Sequence, residues 1–548
     1  MSKTEQEKSI LGQGLLLASA GILTKIIGFL YRIPMANILG EEGNGIYSVA
    51  FGIYNVALTL SSYSLPLAVS KLLSARYARG DNRNAQRIFR LSQIFAAVTG
   101  TLAFLALFFG AGALEGIYNC PGLSRPLRVL AVTTYVVAFL GVFRGYFQGH
   151  SDMGPTAISQ IIEQIVNAVV SVAAAWGLAE LAVSGFYGDS PAPSLRSSLA
   201  AAGGTMGTLS GALAALFTLL FLYFSWRKKK FGSFKEHKDT IMPPGEPAPQ
   251  LLILLIATVL PVIISQTIYQ IGYTVDDLVF GQLMALRGIP SETVTSLRGV
   301  FNTQYNQLIN LPVAVSTAMA ASALPGIVRA VAKDGKEEGF RRAGGVLSFN
   351  MAFAFPAAVG LAVLSDPIMG LLFPRLVNYH TLAASLLLTG SSAVVFYALS
   401  TLTTSVLQAY DHMKTPVIHA GVSLVIHVIL ISVLLYTTDL GVYALIIGNV
   451  SFPFCVCSLN LLKLKRLGFK PDVIALFLKP ALAAAVMGAV ARFSFVMLSK
   501  IPLSVFSAFR GLVPTGISML LAAAVYAGLA QWMGIMDMKD VLRRFKRG

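Results

Sequence analysis

Lys25 and Arg32 stand in a first segment that is otherwise apolar, and with Gly21 and Gly28 they fall on one stripe of a helix. Two cations with glycines leaving room beside them suit an anion such as a phosphate. A charge at a helix centre in a bilayer costs about 2.5–3.5 kcal/mol on insertion scales, so each needs a reason. Arg32 can snorkel to an interface, whereas Lys25 lies near the middle of the segment. A second stripe, Gln266, Gln270, Tyr273 and Asp277, has Asp276 beside it. These acids could balance the two cations, bind a coupling cation, or face water at the rim. Farther on, Asn302, Thr303, Gln304, Asn306, Gln307 and Asn310 form an amide-rich run. Amides suit sugar hydroxyls, and they equally suit bonds between helices. Glu163, beside Gln160 and Gln164, is a further candidate toward substrate, with a bond to another helix as its default role. His419 and His427 are too few for a metal site, and packing or interhelical hydrogen bonds is their default. The candidate set is thus Lys25, Arg32, Glu163, Asn306 and Gln307 toward substrate, and Asp276 and Asp277 toward ion coupling. No catalytic residue, metal or cofactor is expected.

The elements that must hold these residues are membrane helices. Of 548 residues, 55% are hydrophobic and 12% charged, against roughly 25% charged in soluble domains. The mean hydropathy is +0.70. Cutting at charged or Pro/Gly-rich breaks gives fourteen spans, near 11–38, 45–71, 91–113, 126–148, 156–182, 197–225, 250–284, 297–326, 344–373, 381–409, 416–437, 440–462, 473–498 and 509–533. The seventh is too long for one straight crossing, and Pro261 should kink it. The opening run carries Lys25 and Arg32 and has no small-residue cleavage site, so it reads as a retained first span and not as a signal peptide. Cys120, Cys455 and Cys457 read as buried small hydrophobes, and neither a disulfide framework nor a metal cluster is expected. A P-loop, a G-x-S-x-G elbow and an H-E-x-x-H are all missing, so no motif supports ATP hydrolysis or hydrolase chemistry.

Basic residues set the orientation. With the amino terminus inside, thirty of the 42 Lys and Arg fall at cytoplasmic ends and loops, Arg144 among them. Eight, including Arg287 and Arg298, fall in outer loops, and Lys25, Arg32, Lys479 and Arg492 fall within spans. That bias places both termini in the cytoplasm. It also accounts for most of the +17 net charge, so a nucleic-acid partner is not expected.

The chain also repeats itself. LPLAVS at 65–70 matches LPVAVS at 311–316, and FQGHSDMGP at 147–155 matches LQAYDHMKTP at 407–416. Both pairs fall at equivalent places in the topology. The expected fold is an all-α polytopic membrane protein with about fourteen transmembrane helices, two six-helix lobes in parallel repeat plus two C-terminal helices. Its domains would be an N-lobe over 1–226, a basic linker over 227–249, a C-lobe over 250–466, and the last two spans with a basic tail over 467–548. A cleft between such bundles is a common seat for a transported substrate.

The stretches KIIGFLYRIPMANILGEEGNGIYS, LPLAVSKLLSARYARGD and GYFQGHSDMGPTAISQIIEQ resemble the polysaccharide-transporter branch of the multidrug/oligosaccharidyl-lipid/polysaccharide exporter superfamily, and within it the group of lipid II flippases and stage V sporulation protein B relatives. The resemblance implies alternating access and export of an undecaprenyl-linked saccharide across the bacterial cytoplasmic membrane by a monomer, with the last two spans forming a groove for the lipid tail. Lys25 matches that family's first cavity arginine, and Arg32 falls one position from the second. Asp276 or Asp277 corresponds to its span-seven cation ligand. This chain departs from the family in having no arginine between Tyr54 and Ser70, in carrying Asn306 and Gln307 just before LPVAVS, and in having Asn167 where relatives often place a basic residue. A multidrug exporter on the same fold is the alternative, although its cationic cargo would want acids in the first lobe. A membrane enzyme would call for large outer loops, and the longest here, near 183–196, is short.

Overall fold

The computed structural model describes residues 3–184, 193–233, 245–501 and 511–535. Among these every regular element is a helix. Eleven helices are long and apolar enough to cross a membrane, or twelve if one bent pair is a single span. Contacts divide the chain into two compact units, Met1–Gly299 and Val300–Gly548.

The first unit opens with α1, Lys3–Ser61. Its 59 residues would run roughly 88 Å, nearly three hydrocarbon thicknesses, so it cannot be one crossing. Gly40 breaks it, with φ 68° and ψ −177°, a conformation that favours a residue without a Cβ. The two arms of α1 are the first two expected spans. Next come α2 (Leu65–Tyr77), α3 (Asn82–Ile117), α4 (Ser124–Gly149), α5 (Gly154–Val183), α6 (Pro193–Ser233), α7 (Ala248–Leu286) and α8 (Ser291–Gly299). Pro66 sits in the first turn of α2, where its missing N–H costs nothing. The helical backbone of α7 passes through Pro261, whose side chain lies outside the described residues. Among its described residues lie two apolar cores. One centres on Tyr31, Leu39, Ile46 and Leu127, and the other on Leu65, Val69, Phe143 and Leu219.

The second unit begins with a π-helical turn at Val300–Tyr305 and continues as α9 (Asn306–Asp334), α10 (Lys336–Val363), α11 (Ser365–Leu372), α12 (His380–Gly390), α13 (Ala393–Ala409), α14 (Lys414–Thr437), α15 (Val442–Arg466), α16 (Lys479–Ser499) and α17 (Leu512–Trp532). The tenth expected span is not one rod. It is α12 and α13, bent by 44° at Ser391–Ser392. With the arms of α1 counted separately, that bent pair as one and α7 as another, the described helices are compatible with fourteen crossings. The contact boundary at Gly299 counts α7 and α8 with the first unit. The lobes expected over 1–226 and 250–466 are a statement about duplication, which a boundary of compactness does not test.

In each unit the turn of the second motif is tied to a neighbouring helix, α2 in the first unit and α10 in the second. In the first, Ser74 donates to the Gly149 carbonyl at 3.1 Å, and the Tyr77 and His150 rings lie 4.1 Å apart. In the second, the Tyr410 hydroxyl donates to the Lys336 carbonyl at 2.7 Å, and its ring stacks on Phe340 at 4.4 Å. The turns are alike in backbone. Ser151 (φ 60°) and Asp411 (φ 63°) are left-handed non-glycine residues at matching places in the repeat. Their amides donate to Gln148 and Gln408, and the next amides to Phe147 and Leu407. This closes each helix with the same pair of bonds and satisfies carbonyls that would otherwise be orphaned. A β-branched side chain is strongly disfavoured in that conformation. Ser151→Val and Asp411→Val should therefore each destabilise the protein by about 1–2 kcal/mol. Thermal unfolding in detergent would show this, and an unchanged midpoint for both variants would dismiss the shared turn as a constraint.

Candidate substrate site

The first arm of α1 lies against α5, and glycine makes the contact possible. A Cβ on Gly28 would stand 3.1 Å from Gln164 Nε2. One turn on, Asn167 Nδ2 donates to the Tyr31 hydroxyl at 3.3 Å. Ser171 Oγ lies 2.8 Å from both Asn167 Oδ1 and the Gly204 carbonyl, which ties α5 to α6. A Cβ on Gly207 or Gly211 would collide with α5, at 2.0 Å from Ser171 Oγ and 2.5 Å from the Glu163 carbonyl. Gln160, Gln164, Asn167 and Ser171 thus form a polar stripe along α5, and α1 meets its middle.

Both cations of the α1 stripe are exposed. Among the described residues neither Lys25 nor Arg32 has an ion-pair partner, and the near neighbours of the Arg32 guanidinium are the Tyr31 and Tyr47 phenols. Tyr47 is buried, and its hydroxyl has no hydrogen-bond partner among the described groups. Glu163 is otherwise engaged: Arg144 Nη2 of α4 donates to its carboxylate at 2.6 Å while Arg144 Nε reaches Ser159 Oγ at 3.2 Å. Sequence counting placed Arg144 at a cytoplasmic helix end, but the structure makes it half of an interhelical ion pair. An unpartnered acid in span five was the available clue to it.

On α7, Asp277 is buried and Asp276 half-buried. Asp277 faces the second arm of α1, where a Cβ on Gly52 would lie 3.8 Å from its Oδ2. Thr274 packs beside it, with its hydroxyl 3.3 Å from the Gly52 carbonyl. Arg298, expected in an outer loop, is fully buried and donates to the Asp277 carbonyl at 2.6 Å. Tyr273, expected on the same stripe, has its side chain outside the described residues.

In the second unit the amide run is divided between two uses. Asn306 belongs to a network: it donates to Asn302 at 3.3 Å and accepts from Asn449 of α15 at 3.4 Å. The Tyr305 hydroxyl reaches both Asn449 Oδ1 and the Gly390 carbonyl at 3.1 Å. Gln304 Oε1 and Gln307 Nε2 are buried without a hydrogen-bond partner among the described groups. Such atoms call for water or a ligand. The histidines bond between helices, His419 to Asn460 at 2.7 Å and His427 to the Gly448 carbonyl at 3.0 Å. All three cysteines are free, and no group of three metal-ligating side chains occurs among the described residues.

A family model described as a polysaccharide biosynthesis protein matches residues 10–331. The chain is 29% identical to stage V sporulation protein B of Bacillus subtilis over 57% of this chain, and the match spans 57% of that relative's length. Its fold is similar to that of a structure titled lipid II flippase MurJ in an inward closed conformation, with a TM-score of 0.60 at 16% identity, covering 95% of this chain and 100% of that one. It is as similar to an inward-facing multidrug resistance transporter of the MOP superfamily, with a TM-score of 0.61 at 14% identity over 81% of this chain and 95% of that one.

The division of the amide run gives opposite outcomes for neighbouring substitutions. Asn306→Leu should lower stability by about 1–3 kcal/mol, because it strands Asn449. Gln307→Leu should leave stability unchanged or raised and lower transport instead. Unfolding midpoints measured beside flux would separate them, and equal stability losses would make both residues helix glue.

Proposed function

We propose that this chain, which belongs to the polysaccharide biosynthesis protein family, is a flippase that moves an undecaprenyl-linked saccharide precursor, lipid II or a related polysaccharide intermediate, across the bacterial cytoplasmic membrane by alternating access. The precursor would feed cell-wall or spore-envelope synthesis. The observation that carries this reading is the pair Lys25 and Arg32, exposed on one stripe of α1 with no acid paired to either among the described residues. Unpaired intramembrane cations are costly, and an anionic headgroup repays that cost. The amides along α5 then serve the sugar hydroxyls.

Support for the tail comes from the second unit. Val486, Phe493, Met497 and Leu521 line an apolar groove of about 620 Å³ on α16 and α17. An isoprenoid chain needs a surface of that chemistry. The distribution of Lys and Arg supports cytoplasmic termini. A lipophilic cation as cargo would be repelled by Lys25 and Arg32.

Lys25→Ala and Arg32→Ala should each reduce transport by tenfold or more without reducing membrane abundance, as about 1.4 kcal/mol of lost headgroup binding implies. Complementation of a flippase-depleted strain, with protein level measured alongside, tests this, and full activity of the double variant would remove the headgroup role. Native mass spectrometry against lipid II, a lipid-linked oligosaccharide and a cationic dye identifies the cargo class. Retention of the dye alone would make the protein a drug exporter.

Asp277 is the proposed coupling acid, because it is the more buried of the two and faces α1. Asp277→Asn should weaken dependence on sodium or on membrane potential more than Asp276→Asn does. Equal and negligible effects in reconstituted vesicles would return both acids to a structural role.

A further inference from the structure

The last carbonyls of a helix have no partner within it. At the end of α3 the carbonyls of its last residue, of its cap and of the residue after that are taken by side chains from α7 and α8. Gln282 Nε2 donates to the Ile117 carbonyl, Arg298 Nη2 to Tyr118 at 2.7 Å, and Arg298 Nη1 to Asn119 at 3.5 Å. A cation at a helix C-terminus is also favoured by the helix dipole. The same Nη2 donates to the Asp277 carbonyl in α7. It can approach α7 only because residue 281 is glycine, since a Cβ there would stand 1.6 Å from that nitrogen. Two more glycines let α8 lie on α1: a Cβ on Gly45 would be 1.9 Å from the Thr295 carbonyl, and one on Gly299 would be 2.0 Å from the Glu41 carbonyl. Cys120 is sealed beneath α8, fully buried, with Thr295 Oγ1 3.9 Å from its Sγ.

Arg298 is a strange adhesive. It is a buried cation hydrogen-bonded to main-chain carbonyls, and its Nε has no hydrogen-bond partner among the described groups. Apolar packing would hold these helices at less cost, since burying a charge carries a desolvation penalty. What polar bonds offer instead is a second arrangement, because the guanidinium and the carbonyls can all be hydrated once they separate. We infer that Arg298 is the bolt of a latch, in which α8 closes the α3–α4 end of the first unit and must lift from α1 and α3 when that end opens. Arg298 therefore acts by positioning α8 and the Asp277 segment and need not touch cargo. The purpose of the latch rests on the carrier reading above, whereas its geometry does not.

Cys120 is the built-in reporter. Burial pushes its thiol up to about 11, so at neutral pH it is a poor nucleophile as well as a covered one. In a Cys455→Ser, Cys457→Ser background it is the only thiol left of three. A membrane-permeant maleimide should then label the reconstituted protein slowly. Arg298→Gln should raise the rate at least about tenfold, the least that losing a hydrogen-bonded charge implies for a closed–open equilibrium, and Arg298→Lys should fall between. In the same background Thr295→Cys should form an oxidative cross-link to Cys120 that stops flux, and reductant should restore it. Unchanged labelling of a folded Arg298→Gln protein would overturn the latch, as would flux that persists through a complete cross-link. If Arg298→Gln does not fold, the Thr295→Cys arm decides alone. Absence of lipid-linked saccharide flux in the unmodified protein would sink the carrier reading, and the labelling arm, which needs no cargo, still decides the latch.

Discussion

A polar group in hydrocarbon must be bonded, hydrated or carried to an edge, and the rest of this structure follows from that requirement. Helices satisfy their own backbones, so every described element is a helix. Charged side chains receive partners in turn. Arg144 answers Glu163, Arg298 answers the end of α3, and Lys479 donates to the Met533 carbonyl at 3.0 Å. Against that pattern Lys25 and Arg32 stand out. They share a stripe, face open space, and are balanced by no acid paired to them among the described residues. Two cations left available together are the reason that stripe is proposed as the headgroup site.

Glycine is the complement of this rule. Where α5 meets α1 and α6, and where α8 meets α1, the closest approaches are made at Gly28, Gly207, Gly211, Gly45 and Gly299. Small residues let helix backbones come close where lipid offers no hydrophobic drive for association. The approach at Gly281 differs in kind, because it admits a guanidinium and not another helix. The same side-chain deletion therefore serves packing in one place and a charged contact in another.

Hydropathy made the spans legible, since about twenty apolar residues in a row have few other uses. The break at Gly40 was legible too, because it falls among the acids and glycines of LGEEGNG. The bend at Ser391–Ser392 was hidden, as two serines inside an apolar run leave the hydropathy nearly unchanged. Counting charges along the chain put Arg144 and Arg298 in solvent, because such a count cannot see that a cation near a helix end has an acid or a helix terminus facing it. Their partners lie on other helices, Glu163 on α5 and Tyr118 on α3. The repeat was readable in two short motifs, but its deeper sign is conformational. Ser151 and Asp411 differ in side chain and agree in φ, so the likeness of the two turns extends to the backbone.

One backbone can serve carriers of opposite charge preference, because selectivity resides in the site and not in the fold. Here the decisive quantity is the balance of charge left over after internal pairing. Glu163 lies on α5, the helix whose amide stripe α1 meets, and Arg144 already neutralises it. Had Arg144 been an apolar residue, Glu163 would stand without that partner on the helix that α1 meets, and the charge preference there would be ambiguous. With the pair in place, Lys25 and Arg32 flank the contact of α1 with the neutral amides of α5, a surface that on the proposed reading would reward phosphate and tolerate hydroxyls. On the proposed reading the internal ion pair would favour an anionic cargo without touching it, by neutralising an acid on the helix that α1 meets.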